Sequence, residues 1–161
     1  MRIFILGLRR SGTTICWETF RQDRCLRCFN EPWNPVLREL PVEIPNASRR
    51  GVIEIFREDP EAFWRHFAPI GRIEELQADF CERQARYLRY LIDRFEATCI
   101  DETRCHFRLA ALREVVPDAT VVHLYRAPAA FATSHLLPTA SGGFRASRIA
   151  RARGRIGFFT R

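Results

Sequence analysis

The chain contains no lysine: all 26 basic residues among its 161 positions are arginines. It also lacks any long apolar run. No segment approaches the ~18 residues that a membrane-crossing helix needs. The opening run Ile3–Leu6 is too short for the core of a secretory leader, and Arg9 and Arg10 soon follow it. The expected location is therefore the cytoplasm, with no membrane span. A second C-x-x-C pair is missing too. Cys25 and Cys28 form the only one, with no close histidine pair to complete a zinc site. "CLRCFN" reads as a strand, not as the helix start that a thioredoxin-like pair requires. The six cysteines are read as reduced structural thiols, and no metal is expected.

Acid is absent from one end of the chain. Residues 127–161 carry six arginines (Arg145, Arg148, Arg151, Arg153, Arg155 and Arg161) and no Asp or Glu, whereas residues 1–126 set 20 arginines against all 19 acids. A solvated tail is one reading. The other is a surface that meets anions: nucleotide phosphates, a sulfated or acidic acceptor, or nucleic acid. Charge by itself does not choose between them.

What is present reads as a single α/β domain over residues 1–161, with 47% hydrophobic and 28% charged residues as in globular proteins. Arg2–Leu6 reads as a buried strand, Gly7–Gly12 as a loop and Thr13–Arg21 as a helix packing through Ile15, Trp17 and Phe20. A strand over Cys25–Asn30 ends at "EPWNP", where two prolines stop regular structure. Residues 40–59 read as a surface connection, and Asp59-Pro60 as a helix start. Apolar spacings of three and four predict one long helix from Ile73 to Ala97, with Asp79–Arg83 and Glu82–Arg86 as i,i+4 pairs. A strand at Thr98–Asp101, a helix near Phe107–Val116, a buried strand "TVVHLY" and a helix from Pro128 to Leu137 follow. Strands separated by helices imply a parallel sheet flanked by helices.

The stretch "GLRRSGTT" looks like a phosphate loop without its lysine. A nucleoside triphosphate loop runs G-x-x-x-x-G-K-S/T between a strand and a helix. Gly7 and Gly12 fill the glycine positions, but Thr13 stands where the lysine would be and Thr14 follows. Backbone amides and the helix N-terminus still suit an oxyanion. The charge that reaches a γ-phosphate is gone, and Arg10 supplies a cation from the other side of the loop. A magnesium-holding aspartate is not evident either: the strand Val121–Tyr125 ends in Arg126, leaving Asp101 as the alternative.

"RRSGTT", with a strand before it and a helix after, resembles the 5′-phosphosulfate loop of sulfotransferases that use 3′-phosphoadenosine 5′-phosphosulfate (PAPS). "VVHLYRAPAAFATS" resembles the second signature of that family. The resemblance covers roughly residues 2–137. It implies a three-layer fold like that of P-loop NTPases, with Arg10, Ser11, Gly12, Thr13 and Thr14 around the 5′-phosphosulfate. It further implies Arg126 and Ser134 on the 3′-phosphate, no metal, and an acceptor hydroxyl or amine as the second substrate.

For the base that takes the acceptor's proton, Glu31 is the first candidate. Many carbohydrate and bacterial sulfotransferases place a catalytic glutamate a little over twenty residues after the loop, and Glu31 lies 21 positions after Arg10. His106, in "DETRCHF", is the rival, since another branch keeps a histidine near a Lys-Thr-Pro segment. Here Glu102 replaces that lysine and Arg104 that proline. His66 and His123 are read as packing residues. Members of the family continue further than this chain, so a fragment and a minimal, inactive relative both stay open. Residues 138–161, arginine-rich and poor in leucine, are expected to be mobile. Two other functions compete: a P-loop kinase using ATP, which Thr13 opposes, and a non-catalytic nucleotide- or nucleic-acid-binding protein. The latter lacks a recognised nucleic-acid module.

Overall fold

A computed structural model of the chain describes residues 1–40 and 51–136, the last three of these by backbone alone. The chain divides into two compact units, Met1–Leu124 and Tyr125–Arg161. In the first, strands β1 (Arg2–Gly7), β2 (Arg27–Asn30), β3 (Thr98–Glu102) and β4 (Ala119–Leu124) form one parallel sheet in the order β2-β3-β1-β4. Parallel neighbours need crossovers, which helices supply. Helix α1 (Thr13–Phe20) leads from β1 to β2. Helices α2 (Val52–Glu58), α3 (Pro60–His66) and α4 (Glu82–Ile92) lie between β2 and β3, and α5 (Leu109–Val115) joins β3 to β4. The expected α/β architecture is present. In the second unit, α6 spans Pro128–Leu136.

Side-chain alternation along the strands divides the core in two. Ile3, Ile5, Cys28 and Cys99 pack with Trp17 of α1 on one face. Phe4, Leu6, Phe29 and Ile100 face the other way, onto Val52, Phe63, Leu88 and Leu112 of helices α2 to α5. Each such buried side chain contributes about 1.5–3 kcal/mol. Cys28 and Cys99 sit opposite each other in the β2–β3 ladder, and all six cysteines are unbridged. Cys25 is exposed in the preceding turn, so the C-x-x-C thiols occupy different environments and β2 is shorter than expected.

Several elements depart from their sequence pattern. The long helix does not form: a 3-10 turn occupies Glu74–Leu76, and α4 begins only at Glu82. Ile73 and Leu76, which supported the longer period, are 85% and 75% exposed. The break has a tertiary cause. Arg108, fully buried, takes the carbonyls of Asp79 (2.9 Å) and Glu74, which a continuous helix would need for itself. Cys81 N then bonds Gln84 Oε1 at 3.2 Å, closing a new N-terminus. Of the two expected ion pairs, Glu82–Arg86 forms at 3.1 Å, while Asp79 lies before the helix.

The presumed surface connection holds α2, with Val52 and Ile55 fully buried. Gly51 caps it at φ 71, and a Cβ there would fall 2.0 Å from Cys28 O, so only glycine fits this approach. Asp59 caps α3 as expected, its Oδ1 accepting from Ala62 N at 2.9 Å. Strand β4 is half-exposed instead of buried, because among the described residues it is an edge strand paired with β1 alone; His123 is exposed. His66 does pack, stacked on Tyr90 at 4.4 Å. The arginine-rich segment 138–161 and the stretch 41–50 lie outside the described residues.

Candidate active site

The four strands run the same way, so the segments after β1, β2 and β3 share one edge of the sheet, the edge at which open parallel sheets bind ligands. Gly7 ends β1 under a loop that leaves no room for a side chain. A Cβ there would lie 2.6 Å from both Leu124 O and Ser11 Oγ. Ser11 N bonds Leu8 O at 3.0 Å, and Gly12 caps α1 at φ 102 without a side-chain cap. Ile15 N bonds Gly12 O at 3.1 Å, while the Thr13 and Thr14 amides have no side-chain acceptor at the cap. Ser11 Oγ is buried without a hydrogen-bond partner, and a Cβ on Gly12 would meet nothing within 4 Å. An orphan hydroxyl beside unpaired amides, with open space above Gly12, suits a bound oxyanion.

Beneath this loop lies Asp101, fully buried near the end of β3. Asn30 Nδ2 donates to its Oδ2 at 2.7 Å, while its backbone carbonyl accepts from Glu31 N at 2.7 Å. Burial pushes the Asp101 carboxyl up to about 7, helped by the charges of Glu102 and Glu31 and opposed by hydrogen bonding to Thr13 and Asn30. Asp101 thus joins the loop that carries Thr13 to the strand end that carries Glu31. Glu102, next along β3 and pointing to the opposite face, is also pushed up to about 7 by burial, against the pull of Arg104. It accepts from the amides of Trp33 (3.2 Å), Thr103 (2.9 Å) and Arg104 (2.9 Å).

Glu31 is held by three side chains. Asn34 Nδ2 donates to Oε2 at 2.7 Å, Thr103 Oγ1 donates to Oε1 at 3.0 Å, and an Arg104 guanidinium nitrogen lies 3.5 Å from Oε2. Arg104 also faces Glu75 at 3.3 Å and Glu102 at 3.5 Å, and Arg9 reaches the same Glu75 oxygen at 2.5 Å. Among the described residues, two non-glycines adopt left-handed backbone: Arg10 (φ 73) and Glu31 (φ 46). Such conformations cost of order 1–3 kcal/mol and cluster at functional sites.

The first unit thus brings together the loop residues Arg10 to Thr14, Glu31, Asp101 and His106. His106 is half-buried, with Nδ1 3.1 Å from Thr103 O. A carbonyl only accepts, so Nδ1 is the donating nitrogen in this contact. Arg126 follows β4, and Ser134 lies on α6; both belong to the second unit. Sequence reasoning missed Arg9, Asn30, Asn34, Glu75 and Thr103, and read Arg104 only as a departure from a motif. Asn34 alone left a signal, in the "NEPWN" turn around Glu31. Among the described residues no group of three or more metal-ligating side chains occurs.

A parallel sheet flanked by helices, with a glycine-bounded loop between β1 and α1, defines a P-loop-like α/β protein. A model of the sulfotransferase family matches residues 2–156, and the chain belongs to that family. No curated protein matches it. Membership makes the protein a transferase of sulfuryl groups, acting between a sulfate donor nucleotide and an acceptor. Among the described residues no helix is long and apolar enough to cross a membrane.

Proposed function

We propose that the protein transfers the sulfuryl group of 3′-phosphoadenosine 5′-phosphosulfate to an acceptor hydroxyl or amine, with Glu31 as the general base. The observation that carries this reading is the pairing of an anion-ready loop with a strained, three-point-held carboxylate on the same sheet edge. In this scheme the Gly12–Thr14 amides, the Ser11 hydroxyl and the Arg10 guanidinium bind the 5′-phosphosulfate. Arg126 and Ser134 bind the 3′-phosphate. The acceptor oxygen attacks sulfur while Glu31 takes its proton. A new S–O bond forms, the bond from sulfur to the bridging phosphate oxygen breaks, and adenosine 3′,5′-bisphosphate leaves with the electron pair. The fixed donors on Glu31 aim the carboxylate, so little reorganisation accompanies proton transfer. Positive charge at the loop stabilises the developing phosphate.

His106 is the second candidate base, held by the contact of its Nδ1 with Thr103 O next to the Glu31 network. A kinase reading lacks the loop lysine, and a nucleic-acid-binding reading has only arginine-rich composition in its support. Thermal shift separates the three. Adenosine 3′,5′-bisphosphate should raise Tm more than ATP–Mg²⁺ or an oligonucleotide at equal concentration. A larger shift with either alternative overturns the proposal.

A further inference from the structure

A second concavity, of about 550 Å³, opens on the helical side of the first unit. Its size is that of a small-molecule site. Arg38, in the 3-10 turn Pro35–Glu39, and Arg83, in the first turn of α4, both line it. Both are exposed, and neither forms an ion pair with an acid among the described residues. Trp64 and Phe67 form its apolar wall. Trp64 is 38% exposed, yet its ring is fixed by edge contacts to Phe56 (5.8 Å), Phe63 (5.1 Å) and Phe67 (5.6 Å). A half-exposed indole on a rigid aromatic stack is a preorganised platform for a flat ring.

Glu74 ties this pocket to the candidate active site. Its Oε2 accepts from Gly71 N at 2.6 Å, placing the side chain in the pocket wall. The adjacent Glu75 faces Arg104, which in turn faces Glu31. One short segment thus borders both the pocket and the network around the candidate base.

We infer that this pocket binds a ring-bearing organic anion, of the aryl carboxylate class, with its ring on Trp64 and its carboxylate between Arg38 and Arg83, and that it anchors the acceptor. The anchoring role rests on the sulfotransferase reading; the ligand chemistry does not. The two cations outnumber the one carboxylate of the lining, Glu74, which Gly71 N already engages, and the aromatic wall supplies contact area that a small inorganic anion would not use.

The test labels the three tryptophans with ¹⁵N. Trp17 and Trp33 are 1% exposed and report on the integrity of the fold. Titration with 4-hydroxyphenylacetate should move the indole signal that is lost in Trp64→Phe. Arg38→Ala and Arg83→Ala should each weaken binding about tenfold with the Trp17 and Trp33 signals unmoved. The neutral 4-methylphenol should bind at least about tenfold more weakly than the acid. Equal binding of acid and neutral phenol, or a Trp64 signal that does not respond, overturns the inference. The same sample is then titrated with adenosine 3′,5′-bisphosphate. Silence there beside a responding Trp64 sinks the sulfotransferase reading and leaves the anion pocket standing; the converse sinks the pocket alone.

Discussion

Arg104 lies 3.5 Å from the Glu31 carboxylate and, through the same buried guanidinium, 3.3 Å from Glu75 and 3.5 Å from Glu102. One cation serves three acids. Its side chain is 9% exposed, so the carboxylates around it depend on it for compensation. Removing it takes the cation from Glu31 and Glu102, while Glu75 keeps Arg9; loss of one partner of a buried pair costs about 3–5 kcal/mol. Arg104→Ala should therefore lower the urea midpoint markedly, with the slope unchanged. Arg104→Lys should recover part of the loss, since it restores charge without the planar fork. An Arg104→Ala midpoint equal to that of the unmodified protein would show that the cluster is not held by this residue.

Glu31→Gln tests the assignment of the base. The amide keeps an oxygen for Thr103 or Asn34 but has no basicity. Release of adenosine 3′,5′-bisphosphate from the donor, measured against a panel of acceptors, should fall about 10²-fold or more while affinity for the bisphosphate holds. If His106→Ala gives that pattern and Glu31→Gln does not, the base is His106.

Asp101 predicts a pH dependence of stability. Its folded pKa, about 7, stands above the ordinary value of 3.8 because burial disfavours its charge. The folded state then binds this proton more tightly than the unfolded chain does. Its contribution is fully present below about pH 4 and is lost as pH rises through about 7, with a slope of at most about 1.4 kcal/mol per pH unit. Glu102 acts in the same direction. Asp101→Asn, which stays neutral, should flatten this part of the pH profile and gain stability relative to the unmodified protein between pH 5 and pH 8. Parallel melting profiles for the two proteins across that range would refute the shift.

The order of the strands was legible because β1, β3 and β4 are short runs containing branched residues and β2 ends against the prolines of "EPWNP". The turn between β1 and α1 was legible because two glycines five apart serve a backbone requirement that Gly7 and Gly12 meet in the structure. The false long helix had an equally good local pattern. It failed because Arg108, thirty residues downstream, takes carbonyls the helix would need, and no local spacing reports such a contact. Helix α2 was hidden for a related reason: its polar flanks resemble a loop until Val52 and Ile55 find the sheet. Around Glu31, the candidate acid came from the family resemblance, in which a glutamate follows the loop by a little over twenty residues. Thr103, Arg104 and Glu75 could not be read in this way, since they reach it only through the parallel pairing of β2 with β3 and the fold of residues 71–76.

Arg126 extends the account to the second unit. If it binds the 3′-phosphate, Arg126→Ala should lower affinity for adenosine 3′,5′-bisphosphate about tenfold while leaving affinity for adenosine 5′-monophosphate unchanged. An equal loss for both nucleotides would place Arg126 elsewhere than on the 3′-phosphate.

The most direct test of the central claim is calorimetric titration of adenosine 3′,5′-bisphosphate into the unmodified protein and into Arg10→Ala, with ATP–Mg²⁺ as the competing ligand. The sulfotransferase account predicts saturable binding of the bisphosphate, at least about tenfold weaker in Arg10→Ala, and weaker binding of ATP–Mg²⁺ to the unmodified protein. Equal bisphosphate affinity in the two proteins, or tighter binding of ATP–Mg²⁺, would contradict it.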